Sequence, residues 1–188
     1  MGAEIALVSL TLQTGDESND ANNVAVFRKL CREAHELGMP VIGEYFPVNA
    51  EGLPADELRE SIYRGVRITA ELGADLIKTF YTRSFREVTK GSPVAVLALG
   101  AEKLPSQREA LQLAADAVAE GAKGVVFGRN AIQVPDPPAF QQALCDVVKG
   151  GLEPEDAVQK YRLEETKIGA IDPAPGHSRQ GATPVMGR

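Results

Sequence analysis

Five times along this chain a short apolar run gives way to a stretch with helical spacing, and no other feature limits its fold as strongly. The runs are Ile5–Leu12, Pro40–Pro47, Asp75–Tyr81, Val94–Leu99 and, together with the turn after it, Lys123–Asn130. After the first run, the polar residues Thr14–Asp20 read as a loop. Val24, Phe27, Leu30, Cys31, Ala34 and Leu37 then mark one face of a helix that stops at Gly38. Pro54 opens a second helix carrying Leu58, Ile62, Val66, Ala70 and Leu72 up to Gly73. A short helix is expected near Ser84–Lys90, and Ser106 with Glu109 forms a capping box for a helix running to Glu120. Pro138–Val148 and Glu153–Tyr161 complete the helical patterns. Strand and helix in strict alternation predict an α/β fold with a parallel sheet and right-handed crossovers. Either an open doubly wound sheet or part of a (β/α) barrel satisfies the pattern. Both gather ligand-binding groups at the carboxyl ends of their strands.

The third run holds the most suggestive residue. Side chains alternate along a strand, so Leu76, Lys78 and Phe80 share one face while Ile77, Thr79 and Tyr81 share the other. An ammonium inside such a run is costly to desolvate unless it is paired, exposed at the strand end, or neutral. Two readings follow. Lys78 is a snorkelling lysine at a strand end, or it is an amine held on a rigid strand to attack a carbonyl.

Other polar residues collect at the ends of the same strands. Glu44, on one face with Ile42 and Phe46, is either a general acid/base or a solvated loop carboxylate. Gly100 and the Gly128-Arg129-Asn130 turn are either two halves of a phosphate cradle or ordinary tight turns, since glycine lets backbone N–H groups approach an anion. Tyr45 and Tyr81 read as packing residues with a polar tip, and His35 as a surface residue.

Composition narrows the function class. An apolar share of 44%, a charged share of 24% and a length of 188 residues fit one ordinary globular domain. A net charge of −6 without a basic cluster argues against nucleic acid as a partner. No apolar run is long enough to span a membrane, and the N-terminus lacks the pattern of a secretory leader. Cys31, Cys145, His35 and His177 have no metal-ligand spacing, and neither a Walker sequence nor G-x-G-x-x-G occurs. A reduced, cytoplasmic protein with no metal and no cofactor is expected. Residues 163–188 are rich in Pro, Gly and polar types without periodicity, so a folded domain over 1–162 followed by a poorly ordered tail is expected.

Three segments together resemble the class I aldolases of the archaeal-type fructose-bisphosphate aldolase group, with its autoinducer-2 aldolase/thiolase and deoxyribose-phosphate aldolase relatives. They are Gly73-Ala-Asp-Leu-Ile-Lys-Thr-Phe-Tyr-Thr82, then Ser92-Pro-Val-Ala-Val-Leu-Ala-Leu-Gly100 with Lys103-Leu-Pro105, then Gly121-Ala-Lys-Gly-Val-Val-Phe-Gly-Arg-Asn-Ala-Ile-Gln133. The resemblance extends from about Gly2 to Tyr161. It implies a (β/α) barrel in which Lys78 is the Schiff-base lysine of the sixth strand. Gly100 is then the first glycine of a phosphate-binding pair after the seventh strand, and Gly128 with Arg129 the phosphate-binding turn after the eighth. The activity implied is a carbon–carbon lyase acting through an iminium on a small carbonyl compound such as a sugar phosphate.

The chain also departs from that group. Ile5–Leu12 aligns with its fourth strand, so three βα units and a first-strand acidic residue have no counterpart here, whereas a whole barrel has eight units in typically about 250 residues. Ala101, followed by Glu102, replaces the second glycine of the pair. Phe46-Pro47 stands where the group has Tyr-Pro, leaving Glu44 as the nearest polar substitute. Five units do not close a barrel, so a second copy or another piece of chain is expected to cover the open edges. The alternative to an enzyme is a non-catalytic or truncated aldolase-like module for ligand binding or assembly.

Overall fold

A computed structural model describes residues 2–100 and 102–163. Its sheet has five parallel strands in chain order: β1 (Ala6–Leu10), β2 (Val41–Tyr45), β3 (Leu76–Phe80), β4 (Ala95–Leu99) and β5 (Gly124–Val126). The helices are α1 (Glu17–Glu36), α2 (Ala55–Glu71), α3 (Phe85–Gly91), α4 (Gln107–Ala119), α5 (Arg129–Ile132), α6 (Pro137–Gly150) and α7 (Pro154–Tyr161), with a 3₁₀ turn at Ala50–Gly52. The predicted α/β alternation is therefore present, with every neighbouring strand pair parallel.

Parallel register puts aligned residues on one side of the sheet, and the two sides differ sharply. Val41, Tyr45, Ile77, Val96 and Ala98 are buried with Phe27, Cys31 and Ala34 of α1, Ile62 and Val66 of α2, Phe85 and Val88 of α3, and Ala117 of α4. This is the outer, helix-covered face. Contact there is close: a Cβ on Gly65 of α2 would lie 2.2 Å from the Tyr45 ring, so only glycine lets helix and strand approach this far. The inner face carries Leu7, Ser9, Ile42, Glu44, Leu76, Lys78 and Leu97, all half-buried or exposed. Val96 and Val125 pack in the helix-covered core rather than on the inner face. Leu97 and Val126 take those inner places, since Leu97 pairs with Lys78 and Val126 with Leu99.

A second core lies beyond the sheet, where Ala110 and Leu111 of α4 meet Phe140, Ala143 and Val147 of α6 and Ala157 and Val158 of α7. Leu163 is buried in it. The tail expected from that residue onward otherwise lies outside the described residues.

One helix begins earlier than its apolar spacing suggests. The segment expected as a loop over Thr14–Asp20 contains the first turn of α1, which starts at Glu17 because the Asp16 carboxylate accepts from the backbone N–H of Ser18 and Asn19. Among the described residues, no helix is long and apolar enough to cross a membrane.

Candidate active site

The inner row that crosses the sheet at Lys78 is the centre of the site. Ser9 pairs with Glu44 and Glu44 with Lys78 in the strand register, so three polar side chains stand side by side on one face. Lys78 Nζ lies 2.6 Å from Glu44 Oε1, and the two side chains are only 19% and 13% exposed. Ser9 Oγ donates to the other carboxylate oxygen, Glu44 Oε2, at 3.0 Å. A charge-assisted pair at this distance resolves the cost of placing a lysine in an apolar strand, because each ion meets its partner within the row. Of the two readings of Glu44, a solvated loop carboxylate is excluded by its place inside the strand.

One layer nearer the carboxyl ends the row turns apolar. Phe46 and Phe80 meet edge to face with ring centroids 4.8 Å apart, and Phe80 is in register with Leu99, which pairs with Val126. The Phe46 ring thus packs beside the Lys78 row at the position where the resembling group has a tyrosine.

The strand ends surround a cleft of about 990 Å³. It brings together Glu44, Lys78, Gly100, Gly128 and Arg129, all named from sequence, with Glu102 on the same wall. Ala101 lies outside the described residues. Gly128 has open space where a Cβ would stand, so its backbone is accessible from the cleft. Gly100 is constrained differently. A Cβ there would lie 2.8 Å from Phe127 Cδ1 and 2.9 Å from Asn130 Nδ2.

Asn130 builds the wall between these two turns. Its side-chain amide donates to the carbonyls of Gly100 and Glu102, both at 2.8 Å, while its Oδ1 accepts from the backbone N–H of Leu104 at 2.7 Å. The residue is 3% exposed. The loop after β4 is thereby fastened to the first turn of α5. Ser9 and Asn130 are the site residues whose roles sequence reasoning missed. An asparagine directly after Gly-Arg was a visible signal, whereas nothing marked Ser9 out.

The remaining polar candidates lie elsewhere. Tyr45 faces the helices with its hydroxyl 3.2 Å from Ser61 Oγ. The Tyr81 hydroxyl donates to Glu120 Oε1 at 3.3 Å, and its pKa is pushed up to about 12 by burial and by the nearby Glu120 and Asp116 carboxylates. His35 Nε2 sits 2.9 Å from Asp75 Oδ2 just before β3, at the opposite end of the strand from the cleft. Lys103 Nζ is buried without a hydrogen-bond partner among the described residues, and burial lowers its pKa. No group of three or more His, Cys, Asp or Glu suited to a metal comes together among the described residues.

Comparison with known proteins places the chain in a family. Residues 1–134 match the family described as DeoC/LacD family aldolase. An uncharacterized aldolase of Pasteurella multocida is 38% identical over 140 residues, covering 73% of this chain and 46% of that protein. A 3-hydroxy-5-phosphonooxypentane-2,4-dione thiolase of Salmonella typhimurium is 35% identical over 133 residues, covering 69% and 43%. The chain thus spans about half the length of the curated relatives it matches. Among solved structures, an archaeal fructose 1,6-bisphosphate aldolase superposes with a TM-score of 0.71 at 26% identity, over 80% of this chain and 60% of its own. A Schiff-base-forming fructose-1,6-bisphosphate aldolase gives 0.70 at 27% identity, over 78% and 59%. The partial barrel and the sequence similarity agree, and the chain belongs to the DeoC/LacD aldolase family.

Proposed function

We propose that this chain acts as a class I aldolase, in which Lys78 forms an imine with a small phosphorylated carbonyl compound and a neighbouring carbon–carbon bond is broken or made. The observation that carries the reading is the Lys78–Glu44 pair, 2.6 Å apart on the inner face and opening on the cleft that also holds Gly128 and Arg129. One carboxylate at this distance can move every proton the chemistry needs. Glu44 takes a proton from the Lys78 ammonium, and the freed lone pair attacks the carbonyl carbon. A C–N bond forms and the carbonyl π pair moves to oxygen; protonated Glu44 gives that oxygen its proton and takes one in turn from the nitrogen, leaving the neutral carbinolamine. Protonated Glu44 then returns its proton to the carbinolamine hydroxyl, which leaves as water and gives the iminium. In the cleavage direction, Glu44 accepts the proton of the β-hydroxyl while the carbon–carbon bond sends its electron pair into the iminium. The aldehyde departs and an enamine remains. Protonation of the enamine carbon by Glu44 and hydrolysis of the new iminium release the second product.

The substrate's phosphate is assigned to Gly100, Ala101, Gly128 and Arg129. The accessible Gly128 backbone supports this, as do relatives named for phosphonooxy compounds, among them a 2-amino-4,5-dihydroxy-6-oxo-7-(phosphonooxy)heptanoate synthase of Streptomyces griseus. The Glu102 carboxylate on the same wall opposes a phosphate dianion and weakens this cradle.

A second reading, a non-catalytic module that binds a ligand or assembles with a second copy, is favoured by the exposure of Leu7 (51%) and Phe46 (44%) on the inner side. Isotope exchange separates the two. With dihydroxyacetone phosphate in D₂O, the aldolase reading expects the protein to catalyse deuterium uptake next to the carbonyl, followed by NMR. Lys78→Arg, which keeps the charge but forms no imine, abolishes that uptake. Exchange no faster than the uncatalysed rate, or equal in the arginine variant, supports the module instead.

A further inference from the structure

Glu44 has two oxygens with two different partners. Oε1 faces Lys78 Nζ at 2.6 Å and Oε2 accepts from Ser9 Oγ at 3.0 Å. We infer that Ser9 is a positioning residue that fixes the Glu44 carboxylate so that one defined oxygen serves the Lys78 amine. The inference rests on the aldolase reading above and extends it to a residue outside the Lys78–Glu44 pair.

A glutamate has three side-chain torsions, and an ion pair through one oxygen leaves the carboxylate free to swing about the last of them. A hydrogen bond to the second oxygen removes that freedom. Strand geometry supplies it without adjustment, because Ser9, Glu44 and Lys78 are directly aligned residues of β1, β2 and β3, and aligned neighbours on one face stand within side-chain reach. The hydroxyl has no competing role in the core, since Ser9 is exposed on the inner face of the strand at one margin of the described sheet. Alanine there removes one donor and leaves both the backbone ladder and the helix-covered face untouched. The Ser9 hydroxyl does not touch the reacting atoms. It acts through Glu44, and its effect belongs on the proton-transfer steps of imine formation rather than on substrate capture.

The test measures the rate at which dihydroxyacetone phosphate and borohydride label Lys78 in the full chain, read by peptide mass spectrometry over a range of substrate concentrations. In Ser9→Ala the limiting rate is expected to fall about tenfold, the scale of one well-placed hydrogen bond to a charged group, with the half-saturating concentration unchanged. Ser9→Thr, which keeps the hydroxyl, is expected to restore the wild-type rate. Should Ser9→Ala not give folded protein, Ser9→Cys, close in size and only a weak donor, is expected to show the same loss. Wild-type protein that labels Lys78 while Ser9→Ala labels equally fast overturns the inference and leaves the aldolase reading standing. The same holds if Ser9→Thr is as slow as Ser9→Ala, or if the loss lies entirely in the half-saturating concentration. Wild-type protein that never labels Lys78 overturns the aldolase reading, and this inference with it.

Discussion

At Asn130 a single carboxamide satisfies three backbone groups of the loop between β4 and α4, and the residue is buried while doing so. Removing it strands two carbonyls and an N–H in a crowded place. Asn130→Ala is therefore expected to lower unfolding stability by about 2–4 kcal/mol, more than one ordinary hydrogen bond, because buried groups are left unpaired. Asn130→Asp keeps only the bond from Leu104 and should lie at or beyond the alanine value, since a carboxylate would face two carbonyl oxygens. Urea titration of both variants checks this, and a loss under about 0.5 kcal/mol in Asn130→Ala would show that water replaces the amide freely. The candidate site was partly legible at this scale. Lys78, Glu44 and Gly128 could be named because a charged or flexible residue at a strand end is visible in a list of residues. The role of Asn130 was not legible, since it depends on a distance between turns 30 residues apart. Ser9 was hidden for a simpler reason: a serine in an apolar strand becomes informative only when the residue aligned with it is known.

At the scale of elements, alternation of apolar runs and helical spacing was enough to place all five strands. Facing was harder. Lys78 fixed the inner side of β3, but β4 reads Ala-Val-Leu-Ala-Leu with no polar residue to break the tie, so Val96 and Leu97 were interchangeable until the register was known. The start of α1 was missed because its first turns are polar and solvated, and only the Asp16 cap betrays them. Elements are also tied together electrostatically at the end away from the cleft. Asp75, just before β3, accepts from the Val41 backbone N–H of β2 at 2.8 Å and pairs with His35 in the last turn of α1. The Val41 bond first, and His35 second, hold its carboxyl below the usual aspartate range. A depressed native pKa means that this stabilisation is present above the unfolded value of about 3.9 and is lost as the pH falls through the native one. Asp75→Asn is expected to be less stable than wild type at pH 7 and to lose less further stability between pH 5 and pH 2. Denaturant midpoints across that range check it. Parallel curves for the two proteins would show that Asp75 contributes nothing to the acid limb.

For the whole molecule, the outer face of the sheet is finished and the inner face is not. Phe27, Tyr45 and Phe85 are fully buried where helices cover the sheet, while Leu7 and Phe46 remain exposed beside the Lys78 row. Under the proposed function, five strands set Lys78 against Glu44 for imine chemistry although the chain spans about half the length of its curated relatives. Family membership does not establish this, because the relatives' activities belong to longer proteins. Covalent trapping on the intact 188-residue chain addresses it most directly. Protein incubated with dihydroxyacetone phosphate, reduced with borohydride and digested should yield one stoichiometric adduct on the peptide containing Lys78, and Lys78→Arg should yield none. Labelling spread over surface lysines such as Lys29 and Lys149, with Lys78 unmodified, would contradict imine chemistry at Lys78 and leave the chain an aldolase in shape alone.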